Sequence, residues 1–336
     1  MSAVALAAAV GLAGAVLLLA VFLVSARALG ARRRVRIRPL RDRWELDLAL
    51  YLAAAEEPRP PSTLEERRVL RDVALAALAD LRGRERERLT TLLETTGIVE
   101  DAIAELRSRR SAVRRLGAET LAEARSPFGA DALSVGVRDR NPTVAIACAR
   151  GLAELGDERR LEPALALAEE AAVAAPGAAA ELLLALGTRV PGVLPGAYAR
   201  TSAPELRRLI AAVVGELRLV EAAEVLHDAL ESDDDELVAR GAHGLGAIGE
   251  ADAVPKLLEL LRDVDRPLFV RVQAATALGA IGDATSAAAL ADALRDDAWL
   301  LRDRAAVALT HLGADGRAAL ARAAGDGDPH ARAVLA

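Results

Sequence analysis

Ala274-Ala275-Thr276-Ala277-Leu278-Gly279-Ala280-Ile281-Gly282-Asp283 decides the fold of this 336-residue chain, because its pattern returns at a fixed interval. With Gly282 as the reference, the matching positions are Arg125, Gly156, Gly187, Arg218, Gly249, Gly282 and Gly313. They are separated by 31, 31, 31, 31, 33 and 31 residues. Four positions before each stands an aliphatic residue: Leu121, Leu152, Leu183, Val214, Leu245, Leu278 and Leu309. Seven before stands alanine every time: Ala118, Ala149, Ala180, Ala211, Ala242, Ala275 and Ala306. A period of this size marks stacked repeats, each too small to hide its own apolar face.

Each repeat reads as two helices. The first is expected to bury offsets −12, −8, −7, −4 and −1 from the reference, as in Leu237, Gly241, Ala242, Leu245 and Ile248. The second buries offsets +5, +8 and +12, as in Val254, Leu257 and Leu261, or Ala287, Leu290 and Leu294. Both sets have helical spacing. The alanine column is expected to let neighbouring first helices approach closely. Gly156, Gly187, Gly249, Gly282 and Gly313 sit where a left-handed residue ends the first helix. Asp157, Glu250 and Asp283 follow directly, where an acid suits a helix start. Asn141-Pro142 and Asp234-Asp235 open first helices with a capping side chain, and Asp328-Pro329 begins another. Strand signals are absent.

Together with Val254-Pro255-Lys256-Leu257-Leu258-Glu259-Leu260-Leu261, the opening stretch resembles short bacterial HEAT repeats. The resemblance runs from about Ser108 to the C-terminus and is strongest over Leu237–Gly313. It implies an all-α chain whose residues 108–336 form a right-handed α-solenoid of about seven HEAT-like helix pairs. It is specific for fold and says little of function. Arg125 and Arg218 depart from the family's glycine, and Pro191, Pro195 and Gly196 predict an irregular second helix in the third unit.

The N-terminal third is different. Ser2 to Ala26 carries no charged side chain, and as a helix it reaches roughly 37 Å, enough to cross a bilayer core. Arg27, Arg32, Arg33, Arg34, Arg36, Arg38, Arg41 and Arg43 follow, with no basic side chain before. That asymmetry predicts a transmembrane helix over 1–29, a basic juxtamembrane linker over 30–43, the N-terminus outside and the remainder cytoplasmic. Arg32, Arg33, Arg34, Arg36 and Arg38 are the expected contacts to anionic headgroups. Residues 44–107 read as a helical region with a degenerate repeat. It includes a helix from Trp44 to Glu57, a helix after the capping box Ser62-Thr63-Leu64-Glu65-Glu66, and a short insertion near Ile98–Leu106. Trp44 and Tyr51 suit either the headgroup zone or ordinary packing.

Composition narrows the function classes. Beyond Arg43 the balance is 35 basic against 48 acidic residues, and aromatics are 2% of the chain. So acidic a domain repels a phosphate backbone, so no nucleic-acid partner is expected. The single cysteine, Cys148, falls at a core position and is read as a structural thiol in a reducing compartment. The four histidines set the chain apart from HEAT-like hydroxylases. Deoxyhypusine hydroxylases bind two irons through His-Glu pairs, but His227, His243, His311 and His330 are followed by Asp228, Gly244, Leu312 and Ala331. Gly241 to Gly249 imitates a dinucleotide fingerprint without a preceding strand. Ser232 to Glu236 reads as a charged turn with an N-cap. No catalytic residue, metal, cofactor or small-molecule substrate is expected.

One constellation points to binding. Offsets +10 and +13 on the second helices should face outward, giving Asp228 and Glu231, Glu259 and Arg262, and Asp292 and Arg295. The resemblance implies that second helices line a groove. The expected function is therefore a membrane-tethered scaffold or adaptor that holds an unidentified protein partner, either a cytoplasmic protein or the cytoplasmic part of a membrane enzyme. The alternative is a HEAT-like enzyme of the bilin-lyase or deoxyhypusine-hydroxylase sort, with a DNA-binding HEAT-like domain behind it.

Overall fold

The structure is a computed structural model and describes residues 37–53, 57–327 and 329–335. It divides into two compact units, Met1–Glu105 and Leu106–Ala336. The predicted membrane segment, with Arg32, Arg33, Arg34 and Arg36, lies outside the described residues. No helix among the described residues is long and apolar enough to cross a membrane.

In the first unit the described residues 37–53 are helical (α1), so the helix expected from Trp44 already includes the seven residues before it, inside the basic segment. Ion pairs one turn apart explain the extension: Arg41 to Glu45 at 2.9 Å and Arg43 to Asp47 at 3.2 Å. Arg38 is exposed on this helix. Trp44 and Tyr51 are buried, which selects packing over a headgroup position. The Tyr51 hydroxyl donates to the Arg88 carbonyl at 3.1 Å, and the Arg88 guanidinium lies 4.8 Å from the Tyr51 ring. Helices α2 (Leu64–Leu78), α3 (Gly83–Thr95) and α4 (Ile98–Glu105) follow. Thr63 caps α2 by accepting from Glu66 N at 3.1 Å, while Glu66 reaches back to Ser62 N at 2.7 Å.

The second unit is an all-α repeat solenoid. Its first helices are α5 (Ser111–Ala124), α7 (Pro142–Leu155), α9 (Pro176–Arg189), α11 (Pro204–Glu216), α13 (Asp235–Ile248), α15 (Leu268–Ile281) and α17 (Trp299–His311). Its second helices are α6 (Ala130–Gly136), α8 (Glu162–Ala174), α10 (Val193–Arg200), α12 (Ala223–Leu230), α14 (Val254–Arg262), α16 (Ala287–Ala293) and α18 (Gly313–Gly325). Helix α19 (Pro329–Leu335) packs on α17 and α18. Every first helix packs on the first helix of the next unit. The leucine column is buried throughout, and the alanine column is buried in six of its seven members. Asn141 and Asp234 cap α7 and α13 with their side chains.

First helices of neighbouring units also approach closely where offset −3 of one meets offset −5 of the next. A Cβ on Gly215 would stand 2.7 Å from Gly244 Cα, one on Gly246 2.7 Å from Ala277 Cα, and one on Gly279 2.6 Å from Ala308 Cα. Small residues at both offsets let the two backbones touch.

Chain reversal uses the left-handed residue at four of the five predicted glycines. Arg125 and Arg218 also adopt it, at φ 48° and 51°, although a side chain there costs about 1–2 kcal/mol. The amide of Gly249 then donates to the Leu245 carbonyl at 2.9 Å, so the leucine column also supplies the closing acceptor. Gly187 is the exception. Helix α9 runs through it to Arg189, and its missing Cβ makes room for Leu217 and Leu194, 2.7 and 3.0 Å from where that atom would be. Register shifts with it: Ala179 is buried and Ala180 only half-buried. This is the unit in which Pro191 and Gly192 delay the second helix. Asp157 and Asp283 cap a single 3-10 turn ahead of the second helix, not the α-helix itself; Glu250 makes no side-chain cap.

Arginines at offset −11 clamp the turns between units. Arg114 Nε meets Asp139 Oδ2 at 2.6 Å and its Nη1 donates to Ser108 O at 3.0 Å. Arg271 meets Asp296 Oδ2 at 2.5 Å and donates to Leu261 O at 3.2 Å. Arg302 donates to the carbonyls of Asp296 and Asp297 at 2.7 and 2.9 Å, and Arg207 to that of Thr201 at 3.1 Å. Each fixes the angle at which a first helix leaves its turn.

Candidate functional surface

Helices α12, α14 and α16 are the second helices of three consecutive regular units. Their apolar stripes are buried, which forces offsets +10 and +13 outward. Asp228, Glu231, Glu259, Arg262, Asp292 and Arg295 are all exposed. The structure joins only part of the set directly. Lys256 bridges Glu231 at 2.7 Å and Glu259 at 3.6 Å, from one unit to the next. The hydrogen bond to Glu231 and the charge of both carboxylates hold the Lys256 ammonium above its usual range. Two of the four acids in the set, Glu231 and Glu259, thus share one lysine. Lys256, the sole lysine of the chain, lies 25 residues beyond Glu231, so the pairing spans a unit boundary and no local spacing shows it.

Asp228 lies beside Tyr198 of α10. Burial first, and then the Asp228 carboxylate, push the Tyr198 phenol up to about 12. Arg207 sits 5.1 Å from the same ring. Arg295 pairs with Asp326 at 3.5 Å, and both remain 70% exposed, so the pair contributes little. Arg262 and Asp292 have no ion pair among the described residues. The result is a mixed strip with a net negative centre.

Among the described residues no group of three His, Cys, Asp or Glu side chains is placed to hold a metal ion. Cys148 is buried, and that burial pushes its thiol up to about 12. Little thiolate exists at neutral pH, so it packs as a small apolar residue.

Residues 191–268 and 240–310 match the sequence profile of the HEAT repeats. Residues 191–310 carry HEAT repeats. The matched stretches contain the whole strip from Asp228 to Arg295. No curated protein matches the chain. Among solved structures, a Kap121p mutant aligns over 84% of this chain and 35% of its own, at 9% identity and a TM-score of 0.51. This supports the all-α helical repeat solenoid as a fold. Human deoxyhypusine hydroxylase in complex with glycerol aligns over 80% of this chain and 96% of its own, at 18% identity and a TM-score of 0.32. The CpcE and CpcF complex of phycocyanin lyase from Nostoc sp. aligns over 70% and 92%, at 22% identity and a TM-score of 0.31.

Proposed function

We propose that the chain is a membrane-tethered, non-enzymatic scaffold. Its right-handed solenoid faces the cytoplasm and docks a protein, or the cytoplasmic part of a membrane enzyme, on the α12–α14–α16 strip. The observation that carries this reading is register. The same two offsets present exposed charge on three successive second helices, and the helices beneath are fixed by buried leucines. A preformed rigid face recognises by charge complementarity and loses no folding entropy on binding. The uncharged segment Ser2–Ala26 and the arginines after it support the tether.

The test is charge reversal. Glu231→Arg, Glu259→Arg and Asp292→Arg together should abolish partner capture from native membranes while the helical circular dichroism signal is unchanged. Arg240→Glu with Arg304→Glu, on first helices, should leave capture intact. If both sets behave alike, or if only deletion of residues 32–38 matters, the strip is not the docking surface.

A further inference from the structure

Helix α1 carries two apolar stripes. Trp44, Leu48 and Tyr51 form the buried one. Leu46, Ala49, Leu50 and Ala53 form the other, at the helical i, i+3, i+4, i+7 spacing, and all four are exposed, Leu46 at 61% and Leu50 at 47%. At 3.6 residues per turn Leu46 stands about 160° around the axis from Trp44, so the two stripes point in opposite directions. From Leu46 to Ala53 the one charged side chain is Asp47, and Arg43 holds it at 3.2 Å. A helix that is apolar on both sides needs a second apolar surface to meet its outer face.

The chain ahead of α1 identifies that surface. Only ten residues, Arg27 to Arg36, separate the uncharged segment Ser2–Ala26 from the described start of α1 at Ile37. Five of the ten are arginine and none is acidic. Along α1 itself the charges nearly balance. Arg41 pairs with Glu45 at 2.9 Å, and Arg43 pairs with Asp47 and lies 3.8 Å from Glu66. Arg38 and Asp42 are exposed and have no ion pair among the described residues. Attraction to anionic headgroups therefore comes from the arginines before α1, and α1 adds the apolar contact.

We propose that the outer stripe of α1 lies in the boundary between headgroups and acyl chains of an anionic bilayer, with the helix parallel to the membrane surface. The proposal rests on the tether reading of Ser2–Ala26. With that segment across the bilayer, a ten-residue link reaches at most about 35 Å, which keeps α1 beside the membrane. Two leucines and two alanines bind a bilayer weakly on their own. Joined to an anchor, they meet it at an effective concentration of roughly millimolar order, so weak contact suffices. The Tyr51 bond to the Arg88 carbonyl and the Arg43–Glu66 pair fasten α1 to α3 and α2, so seating α1 orients the first unit on the bilayer. A second copy of this chain fits less well. A stripe of four such residues offers roughly a few hundred Å², against the roughly 800 Å² each partner of a stable interface buries.

The test uses the full-length chain with Cys148→Ala, reconstituted in vesicles of equal parts phosphatidylcholine and phosphatidylglycerol. A fluorophore is placed singly at Arg41→Cys, Leu46→Cys, Ala49→Cys, Leu50→Cys and Ala53→Cys, and lipids with a nitroxide on the acyl chain quench what reaches the boundary. The expected result is strong quenching at Leu46, Ala49, Leu50 and Ala53 and little at Arg41, which lies off the stripe. Leu46→Glu with Leu50→Glu, both at exposed positions, should lower quenching at Ala53 to the Arg41 level with the thermal midpoint unchanged. Resistance to carbonate extraction reads the tether separately. A chain that carbonate strips from the vesicles defeats the tether and the proposal together. A chain that carbonate leaves in place while the stripe stays unquenched, or quenching indifferent to the paired Glu changes, overturns the proposal alone. So does disulfide linkage between chains through Leu50→Cys without quenching, which assigns the face to a second copy.

Discussion

Gly279→Ala should open the stack between α15 and α17. The new Cβ would stand 2.6 Å from both Ala308 Cα and Ala308 Cβ. Ordinary carbon contacts begin near 3.5 Å, so the helices must part locally by nearly 1 Å. A gap of that size forfeits about a quarter to a half of each dispersion contact along the seam. Overpacking of this kind costs about 1–3 kcal/mol. Against it stands the gain from replacing glycine in a helix interior, about 1 kcal/mol. The net expectation is a loss of up to about 2 kcal/mol, focused on the sixth and seventh units because solenoid stability is nearly a nearest-neighbour sum. Gly177→Ala is the matched control: it lies in α9, is exposed, and nothing approaches within 4 Å of the added atom. That change should be neutral or stabilise by a few tenths of a kcal/mol to about 1. Hydrogen exchange resolved by peptide is the assay. Faster exchange in α15 and α17 for Gly279→Ala alone fits the account. Equal or slower exchange there refutes the reasoning that small residues at offsets −3 and −5 set the helix spacing.

Three further outcomes follow from the same packing. Leu278→Ala removes a fully buried member of the leucine column and should cost about 2–5 kcal/mol locally, read as lost exchange protection in α13, α15 and α17. Asp139 is held below the usual carboxylate range chiefly by its bond to Arg114. A depressed folded value means stability present at neutral pH and lost as pH falls through that value, so urea midpoints should drop below about pH 4. In Asp139→Asn that acid limb should flatten, and an unchanged limb would remove Asp139 from the clamp. Cys148 should resist thiol reagents in the native state at neutral pH and react once the chain is unfolded in urea; rapid native labelling would contradict its burial.

Much of the fold was legible because burial repeats with the helix. A column at offset −4 that is always Leu or Val has one physical reading, and the leucines are buried where it places them. Gly156 and Gly249 announce a left-handed turn for the same local reason. Gly187 shows the limit. Glycine answers both to backbone reversal and to crowding, and only the neighbouring Leu217 and Leu194 decide between them. The alanine column was read as letting first helices approach closely, and the close contacts through offsets −3 and −5 were not read. There the distinguishing feature is a small residue on two different helices, which one periodicity cannot display. The binding strip was legible as exposure but not as pairing. Lys256 reaches Glu231 across a unit boundary, and the Arg114–Asp139 clamp spans 25 residues. Such partners follow from the angle between units, which no local pattern states. A column of arginines at offset −11 (Arg114, Arg207, Arg271 and Arg302) was nonetheless present as a signal.

The central claim is that second-helix positions, and not first-helix positions, meet the partner. Site-specific photocrosslinking in native membranes measures this directly, with a short-range photoreactive residue placed in turn at Asp228, Glu259, Asp292, Arg240 and Arg304. The account predicts one discrete crosslinked species of the same mass from Asp228, Glu259 and Asp292, and none from Arg240 or Arg304. Crosslinks from Arg240 and Arg304 alone, or the same species from all five positions, would contradict it.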